Sequence, residues 1–166
     1  MTDVAHPPVT LRALDPADGS DVAAVVAAAV EGALPAEVMP LDADSPDPEE
    51  WTLLRERAYA RFLRSRPAAE TSYLVVEGCA VVGLARLHHD AAGAETGVWL
   101  ARTARGRGVG SAVLGLLVER AAAHGADRLV ADTTADNAAA LAALRRHGAA
   151  LQGDRAVSAV VELPRP

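Results

Sequence analysis

The run Arg105-Gly106-Arg107-Gly108-Val109-Gly110-Ser111 is where this sequence concentrates the means of holding a polyanion. Three glycines alternate with arginines, and Arg102 stands just upstream. No acidic residue occurs between Glu95 and Glu119, in a chain whose formal net charge is −6. Val109, Val113, Leu116, Leu117 and Ala121 recur at helical spacing, so the glycines open a helix from about Gly108 to His124 that Gly125 stops. A helix N-terminus presents unpaired N–H groups and the positive end of the dipole. Glycine lets a phosphate approach that backbone, and arginine adds charge-assisted hydrogen bonds. A lone G-x-G-x-G would read as a surface turn. The preceding strand, the amphipathic helix and the missing acids together favour a pyrophosphate site.

Elements on both sides must position that loop. Val9–Leu14 alternates as a first strand, and a helix from about Ser20 or Asp21 carries Val22, Val25, Val26, Ala29 and Val30 on one face. Glu31–Pro46 reads as a loop. Asp47-Pro48-Glu49-Glu50 offers an N-cap acceptor, a proline at the first helical position and a glutamate three residues after the cap. The predicted helix buries Trp51, Leu54, Ala58 and Phe62 and keeps Arg55, Arg57, Arg61 and Arg64 outside. Thr71–Glu77 and Ala80–His88 form a hairpin across Gly78-Cys79, and the turn Asp90–Gly93 leads to the strand Glu95–Leu100. Beyond the long helix come a strand at Arg128–Thr133, a helix at Asn137–His147 with Leu141 and Leu144 inward and Gly148 as its stop, and a closing strand at Ala156–Leu163. The order β-α-α-β-β-β-α-β-α-β predicts an α/β (α+β) fold with a mixed, mostly antiparallel sheet flanked by helices. One domain over residues 1–166 is expected, with an ordered core of about 9–163.

Composition narrows the function classes. The single cysteine, Cys79, excludes an intramolecular disulfide and a cysteine-based metal site, and no metal is expected. No apolar run reaches about 18 residues and no secretory leader is evident, so a cytoplasmic location without membrane association is expected. Residues 1–50 balance to −10 and the remainder to +4, which argues against a nucleic-acid partner. All sixteen basic residues are arginine, lysine and isoleucine are absent, and Asn137 is the one asparagine. These types share AT-rich codons, so the bias points to a GC-rich bacterial genome and makes the surviving Asn137 noteworthy.

The glycine loop and its flanks resemble motif A of the GNAT acetyltransferase superfamily, R/Q-x-x-G-x-G/A, met by Arg105, Gly108 and Gly110. Val98-Trp99-Leu100 followed by five residues to Arg105 matches the family's spacing from its splayed fourth strand to the pyrophosphate loop. Asn137, Ala140 and Gly148 are similar to its N-x-x-A…G-F segment. The resemblance covers nearly the whole chain and is strongest over residues 94–148. It implies acetyl-CoA as co-substrate. Main-chain groups of Val98, Trp99 and Leu100 would pair with the pantetheine arm as an added strand. The Leu100 amide would meet the thioester oxygen as charge develops there. The N–H groups of Gly106, Arg107, Gly108, Val109, Gly110 and Ser111 would hold the pyrophosphate, and Asn137 would touch the cofactor near the thioester. It also implies sheet edges able to pair into a homodimer.

The reaction so implied is direct attack of an amine on a thioester. Near pH 7 an alkylamine is overwhelmingly ammonium, so a carboxylate, or water held by one, must take a proton. Asp132 lies five residues before Asn137, where some relatives carry a catalytic glutamate, and Glu95 begins the fourth strand, where others carry theirs. His88 and His89 are lesser candidates. Each has an ordinary reading as well, in a loop cap, a strand-end charge or a solvated pair. The family's usual tyrosine general acid is replaced by Leu144, and its phenylalanine after the terminal glycine by Ala149. Only Tyr59 and Tyr73 remain as tyrosines. The resemblance implies that the segment between the first two helices borders the acceptor side of the cleft, and Glu31, Glu37, Asp42, Asp44, Asp47, Glu49 and Glu50 crowd it. The expected acceptor is therefore a cationic small molecule or peptide terminus, with a loop kept soluble by its acids as the ordinary alternative. Two other classes stay open. One is an acetyl-CoA-sensing domain with little catalysis. The other is an NAD(P)-binding oxidoreductase, disfavoured because Ala101–Arg105 intervene between strand and glycines and only 34 residues follow Asp132.

Overall fold

A computed structural model describes residues 7–41, 47–91 and 93–164; Asp42 and Asp44 of the acidic segment lie outside the described residues. The elements run β1 (Val9–Ala13), α1 (Gly19–Gly32), α2 (Pro35–Val38), α3 (Leu53–Arg64), β2 (Glu70–Glu77), β3 (Ala80–Asp90) and β4 (Gly93–Leu100). They continue with a 3₁₀ turn (Arg102–Ala104), α4 (Val109–Ala123), β5 (Arg128–Thr134), α5 (Ala138–Arg146), β6 (Ala150–Gln152) and β7 (Ala156–Glu162). The seven strands form one sheet in the order β1-β2-β3-β4-β5-β7-β6. Among the described residues only the β4–β5 pair is parallel, so the expected mixed, mostly antiparallel sheet is what the chain builds.

Helices cover both faces of the sheet. On one face α4 buries Val113, Leu117 and Ala121 against Val75, Leu87 and Leu129. On the other, α1 and α3 bury Val25, Tyr59 and Leu63 against Leu74 and Trp99. Local signals place most boundaries. Asp18 caps α1 by accepting from the Ser20 N–H at 2.8 Å. Glu77 pairs with Ala80 across the two-residue turn, where Gly78 takes φ 62°. The Asn137 side chain caps α5, accepting from the Ala140 N–H at 3.1 Å.

The third helix corrects the sequence reading. It starts at Leu53 rather than beside Pro48, with Thr52 as the N-cap accepting from the Arg55 N–H at 3.3 Å. Asp47 sits instead at φ 45° in a turn, and the Trp51 indole N–H donates to Ala33 O at 2.9 Å before the helix begins. With Trp51 tied to the end of α1 ahead of the helix, the face turned to the core carries Tyr59 and Leu63, one position beyond the expected Ala58 and Phe62, and Leu54 is 72% exposed. Two short elements lie outside the expected order: α2 inside Glu31–Pro46, a segment expected as a loop, and β6, three residues pairing with β7 across Gly153.

Candidate active site

The site forms where β4 leaves β5. The two strands pair only along Ala94–Thr96 against Leu129–Ala131, while β4 stays on β3 as far as Leu100. Just past β4, Ala101 donates its N–H to Val82 O at 2.8 Å. Antiparallel partners alternate between exchanging hydrogen bonds and facing away, so Trp99 and Gly97 likewise turn their main chain towards β3. Val98 and Leu100 therefore turn theirs to the gap that β5 has left. Val98 is 43% exposed in that gap. Trp99, by contrast, is held from both sides: its main chain faces β3 and its indole N–H donates to the buried Tyr59 hydroxyl at 3.0 Å.

The gap runs into the glycine loop. Gly106 and Gly108 take φ 73° and 86°, left-handed conformations that cost an L side chain about 1–2 kcal/mol. A Cβ at either would meet nothing within 4 Å, so the space above both is open. Gly108 is the N-cap of α4, whose first turn holds no acidic residue. The N–H groups of Val109, Gly110 and Ser111 lack intrahelical acceptors there, because the ladder begins with Ala112 N–H donating to Gly108 O. The backbone thus offers a convergent set of donors at the positive end of a 15-residue helix.

The arginines of the loop are turned elsewhere. Arg107 makes a two-pronged pair with Glu77 at 2.8 and 2.6 Å and also donates to Thr103 O. Arg105 donates to Leu100 O at 2.8 Å and pairs with Glu37 of α2 at 3.0 Å. Their guanidinium groups shape the loop and tie it to the hairpin and to α2. The pairing of these arginines with Glu77 and Glu37 is not legible in the sequence, because nothing in local spacing joins residues 30 or more positions apart. Asn137 is exposed and has its carbonyl oxygen engaged in the α5 cap, a bond in which its NH₂ group takes no part.

Both candidate bases stand on the α1/α3 face of the sheet at the opening. Glu95 lies beside Val130 in register, and Asp132 is two residues further along the same face, just past the last β4–β5 pair. Both are exposed. Glu95 is bound by Arg86 at 3.0 Å. The histidines separate: His88 lies opposite Glu95 in the β3–β4 register, while His89 stacks on His124 at the C-terminal end of α4 with ring centroids 5.1 Å apart. Neither tyrosine reaches the opening. Tyr73 is buried under Arg120, and Tyr59 is buried against Trp99, where burial drives its phenol far above the ordinary range. Leu144, where the family's tyrosine would stand, is a core residue.

A sheet splayed at its parallel β4–β5 pair, with a glycine-opened helix beneath the splay, defines an acyl-CoA-dependent transferase class. A family model described as "Acetyltransferase (GNAT) family" matches residues 37–149, more than half of the chain, and the protein belongs to that family. Among solved structures, the chain resembles RimL, a ribosomal L7/L12 alpha-N-protein acetyltransferase in complex with coenzyme A. The TM-score is 0.72 at 19% identity, covering 95% of this chain and 98% of that one. It also resembles the Campylobacter jejuni N-acetyltransferase PseH in complex with acetyl coenzyme A (TM-score 0.67, 11% identity, covering 95% and 100%). A GNAT-family acetyltransferase from Streptococcus pneumoniae is similar to the same degree (TM-score 0.67, 18% identity, covering 95% and 100%). No protein of curated function matches the chain by sequence.

Proposed function

We propose that this acetyltransferase moves an acetyl group from acetyl-CoA to a primary amine on a cationic small molecule or peptide terminus. The observation that carries the reading is the main-chain edge of Val98 and Leu100 that β5 leaves uncovered, with Leu100 O held by Arg105, running into the acid-free N-terminus of α4. An amide-bearing arm that ends in a pyrophosphate fits both parts: an added strand along the edge, and an anion on the helix dipole. Val98 and Leu100 would hold the arm, and the N–H groups from Gly106 to Ser111 the pyrophosphate. The Leu100 N–H would donate to the thioester oxygen as it gains charge, and the Asn137 NH₂ would lie alongside.

Glu95 and Asp132 face the side from which an amine must come. Either carboxylate takes the ammonium proton, directly or through water. The amine nitrogen then bonds to the carbonyl carbon, the C–S bond breaks, and the thiolate leaves with the electron pair and takes up the excess proton of the acylated nitrogen, giving amide and free thiol. A thiol of pKa about 8.5 leaves tolerably without a dedicated acid, which fits a core Leu144 and two buried tyrosines.

The test is thiol release from acetyl-CoA with spermidine, kanamycin, a basic peptide bearing a free N-terminus, and glucosamine as a less charged comparison. Release with the cationic amines supports the reading. Tight acetyl-CoA binding in calorimetry without release from any amine would convert the enzyme into a sensor. Thermal stabilisation by NAD but not by acetyl-CoA would overturn the site altogether.

A further inference from the structure

Arg86 and Gly97 lie opposite one another on β3 and β4, on the face of the sheet beneath α1 and α3. A Cβ on Gly97 would fall 2.8 Å from Arg86 Nε and 3.4 Å from its Cζ. The missing side chain is therefore what lets the guanidinium lie across the β4 backbone. From there its Nη2 reaches Glu95 Oε1 at 3.0 Å and its Nη1 reaches Glu70 Oε2 at 3.4 Å. The two ends of this bridge differ in environment. The Glu70 side chain is 4% exposed and is also bound by Arg66, whereas Glu95 is 47% exposed at the mouth of the splay. Thr96 Oγ1 donates to Arg86 O at 2.7 Å, which fixes the arginine's backbone from β4 as well.

We infer that Arg86 is a positioning residue for acetyl transfer, holding the Glu95 carboxylate in one place at the acceptor mouth, with Gly97 as the cradle that permits it. The inference rests on the reading of Glu95 as a proton acceptor. A glutamate at an open strand end has three side-chain torsions to order, and a misplacement of about 1 Å in a reacting group costs on the order of a hundredfold in rate. The part-buried Arg66–Glu70 pair supplies the anchor, and Arg86 transmits it to an exposed carboxylate. Bridging two acids also keeps Arg86 from acting as an anion receptor in the acceptor cleft.

The experiment uses the full chain, acetyl-CoA and whichever amine of the panel above releases thiol fastest. Arg86→Ala, Gly97→Ala, the double variant and Glu95→Gln are compared for kcat, KM and acetyl-CoA affinity. Gly97→Ala leaves every charge in place and only displaces the guanidinium, so it remains informative should Arg86→Ala fold poorly. The expected result is a kcat loss of about ten- to a hundredfold in both single variants, with acetyl-CoA affinity unchanged. The double variant should be no slower than Arg86→Ala, because the glycine acts only through the arginine. Wild-type kcat in Gly97→Ala, or losses that multiply in the double variant, would overturn the inference. If Glu95→Gln itself retains wild-type kcat, the reading of Glu95 as proton acceptor fails and takes the positioning role with it.

Discussion

Gly108 and Gly110 stand two residues apart in one motif and are glycine for different reasons. Gly108 sits at φ 86°, so any side chain is strained there, and one such as valine would also occupy the open space over the helix N-terminus. Gly110 has ordinary helical geometry, and a Cβ there would meet Leu100 Cδ1 at 3.6 Å, a normal contact. Gly108→Val should therefore abolish acetyl-CoA binding in calorimetry while the protein stays folded, and Gly110→Ala should fold normally. Retained micromolar affinity in Gly108→Val would remove the loop from the donor site. At this scale the sequence disclosed what is local. The glycines, the helix they open and Asn137 as a helix-initial residue were readable because each signal fits within one or two turns of chain. Glu77 on Arg107, Glu37 on Arg105 and Arg86 on Glu95 were not, because the sheet and the helix packing create those pairs.

Between elements, the start of α3 shows how one cap outcompetes another. Asp47-Pro48 followed by Glu50 carries the stronger local pattern, yet Thr52 is the residue that accepts from the third helical N–H. Trp51 decides it: its indole hydrogen bond to Ala33 O ties the chain to the end of α1 and leaves helix formation to begin afterwards. Thr52→Ala should lower stability by about 0.5–2 kcal/mol in urea denaturation, whereas Glu50→Ala should change it little. Equal effects would restore the earlier start. The strands and α4 were legible because alternation, the Gly78-Cys79 turn and a four-turn apolar stripe each admit one reading. β6 was not, since three residues carry no period. Another contact between elements, the His89–His124 stack, gives the fold a pH dependence. Burial, then the nearby charges of His124 and His88, hold His89 below its ordinary pKa. A folded-state value below the unfolded one means the unfolded chain binds the proton more readily. The stabilising contribution is complete above the unfolded value of about 6.5 and is lost as pH falls through the folded one. His89→Phe should flatten the fall in stability between pH 7.5 and 5, measured by urea midpoints.

Charge is divided across the whole molecule, and the division bears on which amine arrives. The first 50 residues carry a balance of −10, and the rest carry +4. The negative third supplies α1, α2 and the approach to α3, on the face of the sheet where Glu95 and Asp132 open to solvent, while the loop before α4 carries the arginines. Not every acid contributes equally. Glu37 is paired with Arg105, so its field is largely cancelled at short range, whereas Glu31, Asp47, Glu49 and Glu50 are exposed. A cationic acceptor would be drawn towards such a face and a neutral one would not. Exposed charges act mainly on encounter, and salt at physiological strength shortens their reach to about 8 Å. The expected result is a higher kcat/KM for a cationic amine than for a matched neutral one at low salt, with the gap closing as salt rises. Changing Asp42, Asp44 and Asp47 together to Asn should close part of the same gap at low salt and leave kcat unchanged, since charges that steer encounter act before the chemical step. An advantage that withstands both salt and the triple substitution would assign acceptor choice to short-range contacts with Glu95 and Asp132. Steering by the acidic third would then have no part in it, because a field that ignores both screening and the removal of its sources is not acting at a distance.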